Sequence, residues 1–307
     1  MDRPERTQLG AALVIVASLC FAASGVFVKF ASPHASSWMA LFASFLIGGL
    51  VFIPYALYRS GRALFATRNL PLLVMRGTIA VLQVGALYAS LSSITLLEAM
   101  LFREMAPLWV PLLSFALLGE RMPRILWPVL IGGFIGVALV LHPKLSALSI
   151  GYAYGLSVGL LFGIQMILTR KLNRTAEPHH RILFFIYAVG ILGSAVPAMV
   201  TYVEPDARTI GYLGLAGLFV LASTTTLVAA FAFAPSWLLA PLGYSAVIFS
   251  ALLDWLVFDT VPGLVSALGM VLVVACGLLM LGLSAQNRGT AEPDNRVGSS
   301  KRETSKP

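Results

Sequence analysis

The chain has 307 residues, of which 58% are hydrophobic and 11% are charged, and its formal net charge is +8. Soluble globular proteins have about 45–50% apolar and about 25% charged residues. This composition therefore excludes a soluble enzyme, a soluble nucleic-acid-binding domain and a disordered protein, and it indicates a chain that lies in a lipid bilayer.

Ten apolar runs follow one another along the chain, each near the 20 or so residues that a membrane-spanning helix needs. They are Leu9–Phe30, Ser37–Tyr58, Leu70–Ser92, Leu96–Leu118, Ile125–Leu141, Ile150–Thr169, Ile182–Val203, Ile210–Phe233, Trp237–Phe258 and Gly263–Ser284. The first run is longer than a signal-peptide core and lacks a convincing cleavage site, so we interpret it as a transmembrane helix. Residues 285–307, rich in serine, proline and charge, are predicted to form a disordered cytoplasmic tail.

The positions of the basic residues predict the orientation. With a cytoplasmic N-terminus, ten crossings place 16 of the 21 Lys and Arg residues on the cytoplasmic side and only Lys144 and Arg208 outside. Cytoplasmic segments of membrane proteins carry such an excess of Lys and Arg. We therefore expect both termini in the cytoplasm, and the basic charge needs no nucleic-acid partner. Three cations, Lys29, Arg76 and Arg103, lie within the runs.

The fourth and ninth runs end in similar segments. Pro107–Glu120 and Val247–Thr260 are both rich in leucine and aromatic residues, and each precedes a proline and a glycine-rich helix. Run four lies five helices before run nine, so the two copies face opposite sides of the membrane. This pattern favours two inverted five-helix repeats, residues 9–141 and 150–284, with a substrate site between them near the midplane.

Glycines at four-residue spacing predict close helix packing. Gly132 and Gly136 have this spacing, and so do Gly155, Gly159 and Gly163. Gly155 and Gly159 also flank Ser157 in a G-x-S-x-G pattern that resembles a nucleophile elbow. That pattern lies in the middle of an apolar run, and all four histidines lie in loops or at helix ends, so we interpret the glycines as packing residues.

The fourth run carries the most informative polar residues. With about 100° of rotation per residue, Arg103, Glu104 and Pro107 share one stripe with Met100, Pro111 and Ser114. The two prolines deprive the carbonyls of Arg103 and Pro107 of their helical donors, which favours a polar cavity wall. Arg103 is predicted to bind a carboxylate or phosphate, and Glu104 to bind an amine or carry a proton. The alternative is a structural ion pair with a neighbouring helix.

Other polar residues in the runs are weaker candidates for the substrate site, and each has a structural alternative. Helix–helix hydrogen bonding, bonding to the residue's own helix and aromatic packing are those alternatives. The candidates are Gln83, Tyr88, Gln165, Thr225 and Tyr244. Arg76 shares a face with Gln83 and either snorkels or lines an entrance. Lys29 and Asp254 are candidates for an outer gate, and Glu98 either snorkels or forms a local pair.

Three segments resemble the drug/metabolite transporter superfamily of EamA type. They are Phe21–Lys29, Ala86–Leu91 and Ala106–Arg121. The resemblance implies ten helices in two inverted repeats around a central cavity, and transport of small metabolites. The chain departs from the family pattern at Phe21, often Trp there, and at Val247, where the second half lacks the proline. Arg103 and Glu104 are unusual for the fourth helix and suggest a charged or zwitterionic substrate.

The sequence thus predicts an all-α polytopic membrane protein that acts as a secondary transporter in the inner membrane. It is expected to move a small polar or zwitterionic, amino-acid-like metabolite by alternating access, and to export it. Uptake of a cofactor-like metabolite is the nearest alternative; an intramembrane enzyme or a receptor is the alternative from another class. The expected partners are the substrate, the lipid bilayer and a coupling proton. No catalytic residue, metal or cofactor is expected, and the oligomeric state is left open.

Overall fold

The computed structural model describes residues 3–118, 124, 126–141, 149–175, 177–230, 233 and 239–290, and within these ranges it is helical with no strand. Its α-helices are α1 Arg3–Ala31, α2 Ser37–Ser60, α3 Leu70–Leu91, α4 Leu96–Glu104, α5 Ala106–Leu118, α6 Leu126–Leu141, α7 Ile150–Arg174, α8 His179–Val200, α9 Ala207–Ala230, α10 Ser245–Phe258 and α11 Leu264–Thr290. Two 3₁₀-helices cover Gly61–Leu64 and Ala240–Tyr244. The all-α prediction is confirmed for this part of the chain.

Six helical segments in the described ranges are long and apolar enough to cross a membrane. They are Gln8–Ala31, Ser37–Ser60, Leu70–Leu91, Ile150–Thr169, His180–Val200 and Ala207–Ala230. Shorter apolar helices cover Trp127–Val140, Leu242–Phe258 and Leu264–Leu279. The protein is therefore a polytopic membrane protein.

The last helix is longer than predicted. α11 continues to Thr290, so the first residues of the predicted disordered tail are helical. Good helix formers such as Ala285, Gln286 and Arg288 follow the apolar run, and the first proline comes only at Pro293. The rest of the tail lies outside the described residues.

The fourth apolar run forms two helices and not one. α4 ends at Glu104, Met105 lies in a turn, and α5 begins at Ala106. Pro107 has no N–H, so the Arg103 carbonyl lacks its helical donor. The Met105 N–H donates to the Leu101 and Phe102 carbonyls at 3.1 and 3.3 Å. A single uninterrupted helix in this run is a wrong prediction, and the proline is the reason.

The broken helix lies at the centre of the packing. The side chains of Leu96, Met100, Phe102, Met105 and Leu108 are fully buried. Around them α1 packs on α9, α2 on α8, α3 on α7, and α6 on α11. The polar end of α4 is therefore held in the interior of the helix assembly.

Two glycine-mediated helix contacts confirm the packing predicted from spacing. A Cβ on Gly159 of α7 would lie 2.5 Å from the Phe102 carbonyl oxygen of α4. A Cβ on Gly136 of α6 would lie 2.8 Å from the Gly269 carbonyl oxygen of α11. At both places only the absence of a side chain allows the backbones to approach so closely.

Candidate substrate site

Arg103 and Glu104, the last two residues of α4, form an ion pair with each other. Their side chains are 18% and 10% exposed. Adjacent residues do not face each other on a regular helix, and this pair forms where α4 ends. The pair is therefore local to α4, and neither side chain forms an ion pair with a neighbouring helix among the described residues.

Two aromatic rings enclose the Arg103 guanidinium. Its Cζ atom lies 4.2 Å from the centroid of the Phe21 ring on α1 and 4.4 Å from that of the Phe162 ring on α7. A cation over an aromatic face is attracted by the ring quadrupole, most strongly away from water. Sequence reasoning missed Phe162, since nothing in its local sequence indicates a partner 59 residues away.

The 3₁₀-helix before α10 lies beside Glu104. A Cβ on Gly243 would be 3.5 Å from Glu104 Oε2, and Tyr244 is within electrostatic reach of the same carboxylate. Tyr244 is 5% exposed, and its hydroxyl has no hydrogen-bond partner among the described residues. The structure thus brings Arg103, Glu104 and Tyr244 together, with Pro107 buried one turn beyond Arg103.

Gln165 lies at the contact between α3 and α7. With its amide oxygen turned toward Arg76, Gln165 accepts hydrogen bonds from both terminal guanidinium nitrogens, at 2.5 and 2.8 Å. Arg76 Nε also donates to Thr169 Oγ1 at 2.8 Å. Gln83 of α3 is 3% exposed, and its Nε2 has no partner among the described residues.

The structure does not bring Tyr88 or Thr225 to the ion pair. The Tyr88 hydroxyl shares a hydrogen bond of 3.0 Å with Ser44 of α2 and is fully buried. Thr225 is exposed, and its hydroxyl donates to carbonyls of its own helix, Leu221 at 2.9 Å and Ala222 at 3.0 Å. The hydroxyl proton is thus used within its own helix, but the oxygen can still accept a hydrogen bond. Thr225 stays a prediction for the substrate site.

Lys29 and Asp254 lie together at the predicted outer end. Lys29 Nζ is 3.6 Å from Asp254 Oδ1. The Asp254 carboxylate, 1% exposed, also accepts hydrogen bonds from the Leu96 and Leu97 N–H groups at 3.3 and 2.7 Å. Asp254 of α10 therefore caps the start of α4, a role that the sequence did not indicate.

The start of α4 carries a second cap. Thr95 Oγ1 accepts from the Glu98 N–H at 3.2 Å, and Glu98 Oε2 accepts from the Thr95 N–H at 3.0 Å. Tyr152 donates to the other Glu98 oxygen at 3.1 Å. Glu98 therefore does not snorkel but pairs locally with Thr95. The Thr-x-x-Glu spacing is the sequence signal that could have identified this capping box.

The opposite end is joined through Glu177, which sequence reasoning missed. Its carboxylate accepts hydrogen bonds from Thr67 at 2.5 Å, Asn69 at 2.9 Å and Arg181 at 2.5 Å. Burial raises the pKa of this carboxyl, but these bonds outweigh burial and hold the pKa below its ordinary value. Ser60 and His180 share a further hydrogen bond of 2.7 Å. The α2–α3 join is therefore tied to the α7–α8 join.

The fold and this site define a class: a polytopic helical membrane protein with an ion pair enclosed among its helices. Residues 8–142 match the EamA-like transporter family, which confirms the family that the sequence indicated. The family and the relatives named below are transporters, so the chain is a small-metabolite transporter and not an enzyme.

Three relatives are similar over most of their length. The pseudopaline exporter CntI of Pseudomonas aeruginosa (strain UCBPP-PA14) is 29% identical, over 87% of this chain and 94% of its own. The riboflavin transporter of Rhizobium johnstonii is 25% identical, over 91% of this chain and 92% of its own. The S-adenosylmethionine uptake transporter of Rickettsia prowazekii is 23% identical, over 83% and 86%. Both directions of transport are represented among them.

A solved structure shares the fold. A crystal structure of a protein 19% identical in sequence matches with a TM-score of 0.61, covering 91% of this chain and 98% of its own. At this identity the match shows the architecture alone.

Proposed function

We propose that this protein is a secondary transporter of the inner membrane that exports a small polar or zwitterionic, amino-acid-like metabolite by alternating access. The observation that carries the proposal is the Arg103–Glu104 pair, enclosed by aromatic rings at a helix break. A charge at this depth costs about 2.5–3.5 kcal/mol on insertion scales. A zwitterion can take the place of both partners of the pair. Its carboxylate replaces Glu104 at Arg103, and its amine replaces Arg103 at Glu104.

Irregular backbone at matching positions supports two inverted repeats. The alignment of Pro107 with Val247 places Arg103–Glu104 opposite Gly243–Tyr244. α4 ends at Glu104, and the 3₁₀-helix ends at Tyr244. The two sites also touch, since Gly243 lies against Glu104. In transporters with inverted repeats, discontinuous helices of the two halves build the substrate site near the midplane.

The last helices of the two proposed repeats, α6 and α11, pack closely on each other. A Cβ on Gly136 would meet the Gly269 carbonyl oxygen at 2.8 Å, and a Cβ on Gly269 would meet the Gly136 carbonyl oxygen at 2.6 Å. The two proposed repeats therefore meet at this contact. The family match over residues 8–142 also coincides with the first proposed repeat, residues 9–141.

Hydrogen bonds between joins support the ten-crossing topology. Ser36 and Thr201 share one of 2.8 Å, and both belong to joins that ten crossings place outside. Thr67 and Glu177 are bonded across two joins that ten crossings place inside. With the basic residues on the inner side, this topology has both termini in the cytoplasm.

Alternating access needs a closure at each end. At the outer end, Lys29 and Asp254 join α1 to α10 and Asp254 joins α10 to α4, so we propose this contact as the outer gate. Protonation of Glu104 would break its pair with Arg103, which makes Glu104 the candidate for a coupling proton.

Uptake of a cofactor-like metabolite is the second candidate. The S-adenosylmethionine uptake transporter among the relatives favours uptake, and the riboflavin transporter favours a cofactor-like substrate. Export is favoured by the pseudopaline exporter, which is more similar in sequence.

Metabolite profiles of cells with and without the protein test the direction, followed by flux into proteoliposomes. Accumulation of a zwitterionic metabolite in cells that lack the protein is the expected result, and depletion would indicate uptake. Arg103→Ala and Glu104→Ala are expected to abolish the flux of that metabolite, while Arg208→Ala, in an exposed outer position, leaves it unchanged. Full flux and affinity in both site variants would refute the site. A reporter that places residues 170–181 outside would refute the topology.

A further inference from the structure

Arg76 is a second arginine within a membrane-spanning helix, and it is not part of the Arg103–Glu104 ion pair. Its bonds go to Thr169 and Gln165, both uncharged, and no carboxylate of the described residues pairs with it. An arginine side chain stays protonated in proteins and has five N–H donors. Three are used here, which leaves two donors and a full positive charge. The residue is only partly buried.

Both arginines contact one face of α7. Phe162, Gln165 and Thr169 are spaced three and four residues apart, which places them on one side of the helix. Arg103 stacks on the first of them, and Arg76 bonds to the other two. Phe162 and Thr169 are about 10 Å apart along the helix axis. The two guanidinium groups therefore follow each other along the same face, with Arg76 nearer the end that Glu177 joins.

Gln83 provides an unused donor between them. It lies seven residues from Arg76 on α3, so it shares the face of Arg76 and is about 10 Å farther along the axis. α3 and α7 run in opposite directions in the proposed topology, and Gln83 therefore lies near the depth of Phe162. Its buried Nε2 has no partner within the described ranges. A buried donor left without a partner is destabilising, and a substrate oxygen would relieve that cost.

We propose that Arg76 forms a second anion-binding subsite, which takes the carboxylate of the substrate on its cytoplasmic side and passes it to Arg103. The role of this subsite in transport rests on the proposed function. Its affinity for a carboxylate does not depend on that function and can be measured separately. Arg76 holds the anion with its two remaining donors, while Gln165 and Thr169 fix the orientation of the guanidinium. Gln83 lies on the way to Arg103.

Thermal unfolding of the purified chain in detergent tests the subsite, with acetate as the probe and chloride at the same ionic strength as the reference. Acetate at several times its dissociation constant is expected to raise the unfolding temperature by a few degrees. Arg76→Gln and Gln165→Glu are both expected to lose the part of this shift that comes from Arg76, and any shift that remains belongs to Arg103. The second variant keeps the arginine and places a carboxylate against it, so it remains folded and occupies the subsite from within. Arg208→Gln is the matched control and keeps the shift.

An acetate shift that is undiminished in Gln165→Glu, or is absent from the unmodified chain, would overturn the proposal. Repeating the measurement in phosphatidylcholine nanodiscs with and without phosphatidylglycerol separates the two sources of an anion. If phosphatidylglycerol abolishes the shift, the ligand is a lipid headgroup and the assignment to substrate is wrong. Because the measurement needs no transport, an acetate shift through Arg76 without any flux would reject the proposed function and leave the anion site in place.

Discussion

Two of the enclosed carboxylate–cation pairs among the described residues, Asp254 with Lys29 and Glu104 with Arg103, differ in what else the carboxylate binds. Asp254 accepts two backbone hydrogen bonds from the start of α4 besides its contact with Lys29. Glu104 pairs with its neighbour in sequence and lies beside a glycine and an unpartnered tyrosine hydroxyl. The first carboxylate holds helices together, whereas the second can exchange its partner without releasing backbone.

Asp254 thus has a structural role, whereas Glu104 is free to bind a different cation, although both carboxylates are enclosed by the helices. Removing one member of a buried pair leaves the other uncompensated, and at Asp254 two helical N–H groups also lose their acceptor.

Asp254→Ala is expected to cost about 2–4 kcal/mol of stability, because it removes the cap of α4 and strands Lys29. The loss should appear as a lower unfolding temperature and a lower folded yield in detergent. Asp259→Asn is the control, since Asp259 is exposed at the end of α10 with a φ of 50°, a conformation that asparagine also adopts. Equal stability of the two variants would show that Asp254 does not stabilise the fold.

Gly159→Ala is expected to cost about 1–3 kcal/mol, because the new methyl would lie 2.5 Å from the Phe102 carbonyl oxygen and force α7 away from α4. Unfolding temperature measures the cost, and flux should fall with it as Phe162 moves from Arg103. At Gly214 a Cβ would meet nothing within 4 Å, so Gly214→Ala should be neutral or slightly stabilising. If Gly159→Ala changes neither the unfolding temperature nor the flux, the α4–α7 contact does not position the ion pair.

Phe162→Leu is expected to reduce flux several-fold with little change in unfolding temperature, since a cation–π contact contributes about 0.5–2 kcal/mol. Flux of the identified metabolite into proteoliposomes is the measurement. Phe115→Leu changes an exposed phenylalanine of α5 and serves as the control. If both variants transport alike, the aromatic enclosure of Arg103 contributes nothing to exchange.

Glu177→Gln is expected to have the smallest effect, and only in a defined pH range. The folded-state pKa of Glu177 is lowered, so its charge stabilises the fold above the unfolded-state value of about 4.3. This stabilisation is lost as the pH falls toward the folded-state pKa. Unfolding temperatures measured from pH 7 to pH 3.5 should therefore differ between the two chains at neutral pH and converge in acid. Glu204→Gln, in an exposed position, should follow the unmodified chain throughout.

The sequence predicted most of the helices, because a long apolar run leaves the backbone no other partner in lipid than its own helix. It also indicated the Arg103–Glu104 stripe and the carbonyl freed by Pro107, although not that α4 would end there. It could not indicate that Phe162 encloses Arg103 or that Asp254 caps α4. Those contacts join positions 59 and more than 150 residues apart, and they depend on how the helices pack and not on any local pattern.

The contact between Gly136 and Gly269 has a mechanical consequence. If the two repeats are related by a two-fold axis, the place where each helix touches its counterpart lies close to that axis, and a rocking motion displaces it least. Gly136 and Gly269 would then act as a pivot. A side chain there would meet the same clash in the inward-facing and outward-facing states, so it would lower the stability of the fold without favouring either state.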